Sequence, residues 1–285
     1  MNLRICPDGN DRFVAIEHGA WNSRWRMQFP EIIKADEGTI MAWPLNCHPQ
    51  WEKLSDGWGY SWRTTEVYGA DVRAMNHRDT SGNPEYGECF FVGLALRAEM
   101  RARDDGLQLC LTLTNESSRV VHSVLCDGGC WQARCDAFID SDEVARSHVM
   151  IGRKMVSMSV LPRTVDVRCM YRCDPSTYDG QSEWFWGRSR TAIDSPAIVG
   201  AVSTDDSKAV VLGYAVAQSG MANSDNHHCL HSNPLFGDIA PGQSVRRTGY
   251  VLFGSDIHAL GNTLRTKLEA VSQNTASNKT DARDG

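Results

Sequence analysis

The sequence predicts an all-β fold, a large antiparallel β-sandwich followed by a short C-terminal helix, on three observations. The segment ECFFVGLALRAEMRARDDGLQLCLTLTN alternates apolar and polar residues on both sides of Asp105-Gly106, a two-residue hairpin signal. Short apolar runs then recur between clusters of Gly, Pro, Asn and Asp, the spacing of sandwich strands. Only SDIHALGNTLRTKLEAVSQ, near the C-terminus, has helical period.

Residues 1 to 87 are the least regular part, rich in Trp, and are expected to contribute initial strands and long loops over the sandwich. A turn on Asp105-Gly106 pairs Ala102 with Leu109, Met100 with Leu111 and Ala98 with Leu113. The same register sets Arg97, Glu99, Arg101 and Arg103 opposite Thr114, Thr112, Cys110 and Gln108, so one face is buried and the other is wet. Further strands are expected in RVVHSVLCD, HVMIGRKMVSMSVL, TVDVRCMYRC, PAIVGAVS, KAVVLGYAVA and RRTGYVLFG. In the helix, Ile257, Leu260, Leu264 and Leu268 share a face and Ser255 is the expected N-cap. No repeat and no long linker divides the chain. We therefore expect one sandwich domain over 1–272, loop-rich at its N-terminal end, and a disordered polar tail over 273–285.

The chain has 285 residues, 41% hydrophobic and 22% charged, with a net charge of −6. That composition suits a globular chain. Lys and Arg are scattered, so no basic stripe suggests a nucleic-acid partner. No apolar run reaches the roughly 20 residues of a membrane span. The opening MNLRICPDGNDRF lacks the apolar core of a signal peptide, which reads as a cytoplasmic chain unless a signal has been removed. The sequence leaves oligomeric state open. Cys126, Cys130 and Cys135, and Cys169 and Cys173, are not at the two-residue gaps of structural zinc pairs. Most of the ten cysteines lie in apolar segments, where a free thiol serves as a small buried hydrophobe.

The stretch DGLQLCLTLTNESSRVVHSVLCDGG, in which a long strand ends in Thr-Asn and a polar turn, resembles galactose-mutarotase-like supersandwich proteins. CLHSNPLFGDIAPGQSVRRTGYVLF resembles the C-terminal block of uncharacterised bacterial β-sandwich proteins. The resemblance implies a supersandwich-like fold and a carbohydrate partner. The histidine and glutamate motifs of true mutarotases do not align, so mutarotation is not implied.

Three segments carry candidate chemistry. In NHHCLHSNPLFGDIAPG an extended chain puts His227, Cys229 and His231 on one face, a donor set for zinc or copper that His48, His77 or water would complete. The alternatives are histidines acting without metal, with Asn226, Asn233, Asp238 and Phe236 as ligand contacts, or a loop over Asn223 to Asn233 whose histidines bond backbone groups. In GQSEWFWGRSR, Trp184, Trp186 and Arg188 share a face suited to a stacked sugar with a cation near its carboxylate. Trp58, Tyr60 and Trp62 of DGWGYSW add aromatic surface, and Pro49 holds His48 extended between Trp43 and Trp51. No nucleophile elbow, phosphate loop or dinucleotide fingerprint is present.

The leading expectation is a carbohydrate-active lyase or epimerase. His228 or His231 is the base, Arg188 neutralises a uronate carboxylate, and Tyr60 or Tyr178 protonates the departing oxygen. One alternative is a glycoside hydrolase using Glu183 with Asp225 or Asp238, decided by the distance between the carboxylates. The other is a non-catalytic carbohydrate-binding module. No cofactor is expected, with a divalent metal at 227–231 as the alternative.

Overall fold

The computed structural model describes residues 3–8, 13–36, 38–41, 49–63, 93–140, 143–177, 187–225 and 228–280; the side chains of 38–41, 127 and 274–280 lie outside that description. Two antiparallel sheets face each other. The first runs β1 (Leu3–Pro7), β2 (Phe13–His18), β3 (Ser23–Gln28), β11 (Cys130–Ala133), β18 (Cys229–Ile239), β10 (Val121–Asp127), β4 (Ile32–Ala35) and β5 (Gly38–Met41). To it β17 (Ala217–Asn223) adds along β18, and β14 (Arg168–Arg172) along β17. The second runs β13 (Lys154–Ser157), β12 (Ser147–Ile151), β15 (Ile198–Val202), β16 (Ala209–Tyr214), β19 (Ser244–Gly254), β9 (Gly106–Asn115), β8 (Leu94–Arg103), β7 (Gly57–Arg63) and β6 (Gln50–Leu54). Among the described residues no helix is long and apolar enough to cross a membrane.

The β8–β9 hairpin forms, but its register differs from the sequence expectation by two residues: Ala98 opposes Leu111, Met100 opposes Leu109 and Ala102 opposes Leu107. The chain turns on Asp104-Asp105, and Gly106 is already a strand residue. Packing decides this. A Cβ at Gly106 would collide with the Val251 carbonyl oxygen of β19, so this glycine permits strands to approach rather than serving the turn. An even shift leaves each side chain on its face, so Met100, Leu109 and Leu111 remain buried as expected.

The inward faces supply one large apolar core, with Leu96, Leu111 and Trp62 from the nine-stranded sheet and Trp25, Trp131 and Leu230 from the ten-stranded sheet. A second, smaller core lies on the outer face of the nine-stranded sheet under the helix α1 (Ile257–Thr280). Ile257, Leu264 and Leu268 are buried there and Leu260 packs beside them, as the period predicted. The N-cap is Asp256 rather than Ser255: its Oδ1 accepts from the backbone N–H groups of His258 (2.8 Å) and Ala259 (3.1 Å). A carboxylate also suits the positive helix end. The helix continues through Thr280, into the stretch assigned to the polar tail.

The Thr-Asn strand end has a physical role. Asn115 is fully buried; its Nδ2 donates to the carbonyls of Arg119 (2.7 Å) and Ile239 (2.8 Å), while its Oδ1 accepts from the Ser117 N–H and hydroxyl. It closes the turn after β9 and fastens it to the end of β18. Asn115→Ala leaves the buried Ile239 carbonyl without this donor, and we expect a loss of about 1–3 kcal/mol in urea unfolding. An unchanged midpoint would mean the turn holds without it.

Two partly desolvated histidines set an acid limit on stability. Burial lowers the pKa values of His18 and His148 from the ordinary 6.5. As pH falls through 6.5 the unfolded chain takes up protons that the folded chain refuses. Stability is therefore lost in the direction of falling pH. We expect a lower urea midpoint at pH 5.5 than at pH 7.5, with the difference reduced in His148→Asn; equal midpoints in the parent protein would exclude the effect.

Candidate functional site

The segment that begins at Asn226 is not a loop beyond residue 228: Cys229–Ile239 is an eleven-residue strand inside the ten-stranded sheet, between β11 and β10. Pro234 is accommodated opposite Ala217 at a register shift, where one ladder bond is interrupted anyway. Leu230 points into the core, so Cys229 and His231 point to the outer face of the sheet. Cross-strand partners share a face. Gln28 and Cys130 are partners, as are Gln132 and Cys229, Met221 and His231, and Ser219 and Asn233. All eight of these residues are buried. Cys130, Cys229 and Met221 belong to neither apolar core. The outer face here is a covered, polar stripe rather than a wet surface.

Within that stripe Cys130 Sγ, Cys229 Sγ and a ring nitrogen of His231 all lie within 4.8 Å of one another. Cys229 Sγ is 3.0 Å from His231 Nε2, and the opposite ring nitrogen, Nδ1, is 3.5 Å from the Glu31 carboxylate. Gln132 Nε2 donates to Cys130 Sγ at 3.2 Å. Burial, and next the hydrogen bond with Cys229, pushes the Cys130 thiol well above the ordinary range. Gln28 Nε2 and Asn233 Oδ1 are buried polar atoms with no hydrogen-bond partner among the described residues. The grouping keeps two members of the donor set read from sequence. His227 and Asn226 lie outside the described residues, and the third donor is Cys130 of β11.

His228, next along the chain, lines a different recess, with Trp25, Trp131 and Asp140. Its Nδ1 accepts the Asp140 backbone N–H at 3.1 Å, which fixes the neutral ring with its proton on Nε2. The one ring lone pair of that tautomer, on Nδ1, is occupied by the Asp140 N–H. Asp140 in turn accepts from the Arg146 N–H and the Ser147 hydroxyl.

Other residues singled out from sequence take structural places. Tyr60 is buried, and its hydroxyl donates to the Phe29 carbonyl, so the expected proton donor is a core hydrogen bond. Trp62 is buried in the main core, and Trp58 is half-buried with Lys53 over its ring at 5.2 Å. Asn233 donates to Ser219 Oγ and Met221 Sδ, and Phe236 is buried with the Arg247 guanidinium 5.4 Å from its centroid. Asp238 is exposed and accepts the Ser123 N–H, and Asp225 accepts from Arg168 at 2.6 Å. Arg188 is half-buried and bridges Met170 of β14, with its N–H donated to Thr164 Oγ1. His48, Tyr178, Glu183, Trp184 and Trp186 lie outside the described residues, so their expected convergence with 226–236 has no described geometry.

A second polar surface was not singled out from sequence. On the outer face of the nine-stranded sheet, where the helix ends its cover at β19, the register lines up Gln50, Ser61, Arg97, Thr112 and Arg246 across five strands. Gln50, Ser61, Arg97 and Arg246 are exposed and Thr112 is half-buried. Arg97 is paired with Glu52 and Glu99 at 2.8 Å each, whereas Arg246 belongs to neither pair and donates to Cys110 Sγ at 2.9 Å. Part of this row lines an open trough of ≈ 1010 Å³, counting space open to solvent.

No protein-family model and no curated protein matches the sequence. In the course of the chain it is similar to several solved structures. One is the Slr1438 protein from Synechocystis sp. PCC 6803, at 11% identity over 90% of this chain and 96% of that one, with a TM-score of 0.41. A second is a galactose mutarotase-like protein from Lactobacillus casei, at 9% identity over 88% and 100%, with a TM-score of 0.45. A third is the alpha-N-acetylgalactosaminidase NagBb from Bifidobacterium bifidum in its GalNAc complex, at 10% identity over 90% and 36%, with a TM-score of 0.47. The second of these carries the galactose-mutarotase-like name to which the sequence resemblance points. Likeness at this level concerns the arrangement of strands, and no residue role is carried across on it.

Proposed function

We propose that the protein binds carbohydrate, as a binding module, on the polar outer face of β6, β7, β8, β9 and β19. The observation that carries this reading is the row Gln50, Ser61, Arg97, Thr112 and Arg246. Amide, hydroxyl and guanidinium groups recur there at the interstrand spacing of about 4.8 Å. A chain of sugar rings presents hydroxyls at comparable intervals, so one oligosaccharide lying across the strands meets donors and acceptors in turn. Arg246, exposed at the end of the row, is the guanidinium suited to a uronate carboxylate, and its charge also acts on Glu99.

A binding role is favoured over the lyase or epimerase because three of the groups read as acid or base have other contacts among the described residues. His231 has both ring nitrogens in contacts, His228 carries its proton on Nε2, and the Tyr60 hydroxyl is spent in the core. Calorimetric titration with neutral and uronic oligosaccharides tests the proposal. Binding should weaken at least tenfold in Arg246→Ala for the uronic ligand and in Thr112→Val for either. Uronate affinity should also fall as salt rises, since exposed charges are screened beyond about 8–10 Å. Failure of every sugar to bind, or equal affinity in both variants, overturns it.

A further inference from the structure

We propose that Cys130, Cys229 and His231 bind one thiophilic d10 cation, with the two Sγ atoms and His231 Nε2 as ligands, tying β11 to β18 on the outer face of the ten-stranded sheet. The three donor atoms already lie within 4.8 Å of one another. In a tetrahedral site with metal–sulfur bonds of about 2.3 Å and metal–nitrogen bonds of about 2.0–2.1 Å, ligand atoms stand about 3.5–3.8 Å apart. The Cys229–His231 contact at 3.0 Å therefore has to open by only about 0.5 Å.

The surroundings suit an ion. Glu31 stands 3.5 Å from His231 Nδ1, the place of the carboxylate that fixes the tautomer of a metal-bound imidazole and leaves Nε2 to the metal. Gln132 Nε2 donates to Cys130 Sγ, and Gln28, paired with Cys130 on the other side, holds a buried Nε2 with no acceptor among the described residues. Two thiolates, a neutral imidazole and Zn2+ sum to zero charge, which makes the zinc form compatible with burial of the cluster. Three protein donors leave one coordination position to solvent, as in open zinc sites. Asn233 Oδ1, next along the same face of β18, is an acceptor for the proton of such a water.

A disulfide is the competing use of the two cysteines, and the register opposes it. Continuing the Trp131–Leu230 and Gln132–Cys229 pairing by one step sets Cys130 across from His231 and diagonal to Cys229. Diagonal neighbours have Cα atoms about 7–8 Å apart, beyond the roughly 4.4–6.8 Å of disulfides. An ion bridges that gap with its own two bonds.

The test is elemental analysis of the full chain, expressed with zinc and copper both supplied and purified with a phosphine reductant. About one ion per chain is expected, zinc or copper being told apart by the analysis itself. Titration of the metal-free protein with Co2+ should add intense sulfur-to-cobalt charge-transfer absorption in the near ultraviolet. Cys130→Ser, Cys229→Ser and His231→Asn should each lose the stoichiometric ion, and Glu31→Gln should keep it with affinity lowered about 10–100-fold. Cys110→Ser, a buried thiol outside the cluster, should retain it. Should the cluster variants fail to fold, release of the ion from the parent protein by a mercurial that titrates its thiols gives the same answer. No ion and no cobalt spectrum, an ion retained by Cys130→Ser and Cys229→Ser together, or a Cys130–Cys229 disulfide in acid-quenched cells overturns the proposal.

Discussion

Trp25→Ala is expected to lower unfolding free energy by about 3–5 kcal/mol, the range for removing a buried Trp from a packed core. Trp25 is 1% exposed and stacks on Trp131 at 5.7 Å, with Phe253 at 5.3 Å and Phe138 at 5.4 Å. These rings come from both sheets and from the 3-10 turn Asp136–Phe138, so the indole joins three separate parts of the chain. Nothing of its size can relax into the gap, because Met27 and Leu230 are already fixed in the same core. Equilibrium urea unfolding by far-ultraviolet circular dichroism measures the loss. A change under about 1 kcal/mol would mean that the aromatic cluster is loosely packed and that these tryptophans are available for something else.

That outcome bears on how much the sequence discloses. In Gly57-Trp58-Gly59-Tyr60-Ser61-Trp62-Arg63 the aromatics alternate with Gly, Ser and Arg. Period-two alternation of that kind is the mark of a half-buried strand, and Tyr60 and Trp62 are indeed core residues of β7. Weighing the aromatics by type as sugar platforms passes over that pattern. The face shared by Cys229 and His231 was legible for the same reason, since it depends only on residue spacing along one strand. Cys130 and Glu31 were not legible. They reach the cluster because β11 pairs with β18 and because the chain enters β4 nearby, and a single sequence carries no signal for either long-range pairing. The N-terminal strands were expected as a group, but neither their positions nor their partners were legible. The order β3–β11–β18 joins segments far apart in the chain, and their short runs gain meaning only as neighbours. The reading of Asp105-Gly106 as the turn failed differently. The dipeptide matches a type I′ signal, but Gly106 is required where β9 meets the Val251 backbone.

Leu111→Ala is expected to cost about 2–5 kcal/mol, as lost burial plus the cavity left behind. Leu111 is wholly buried at the centre of β9, opposite Ala98 on β8 and Arg247 on β19, so its side chain is held from both neighbouring strands. The small Ala98 methyl across the ladder cannot fill the space. The substitution also discriminates between the two hairpin registers when combined with others. With Met100 opposite Leu109, the double variant Met100→Ala/Leu109→Ala should depart from additivity, and more than Met100→Ala/Leu111→Ala, whose partners are diagonal. Coupling between directly contacting residues runs to about 0.5–3 kcal/mol, which urea midpoints resolve. Stronger coupling of Met100 to Leu111 than to Leu109 would restore the turn on Asp105-Gly106 and refute the β9 register. That register also sets the row from Gln50 to Arg246, because Thr112 stands between Arg97 and Arg246 only in the pairing where Leu111 faces Ala98.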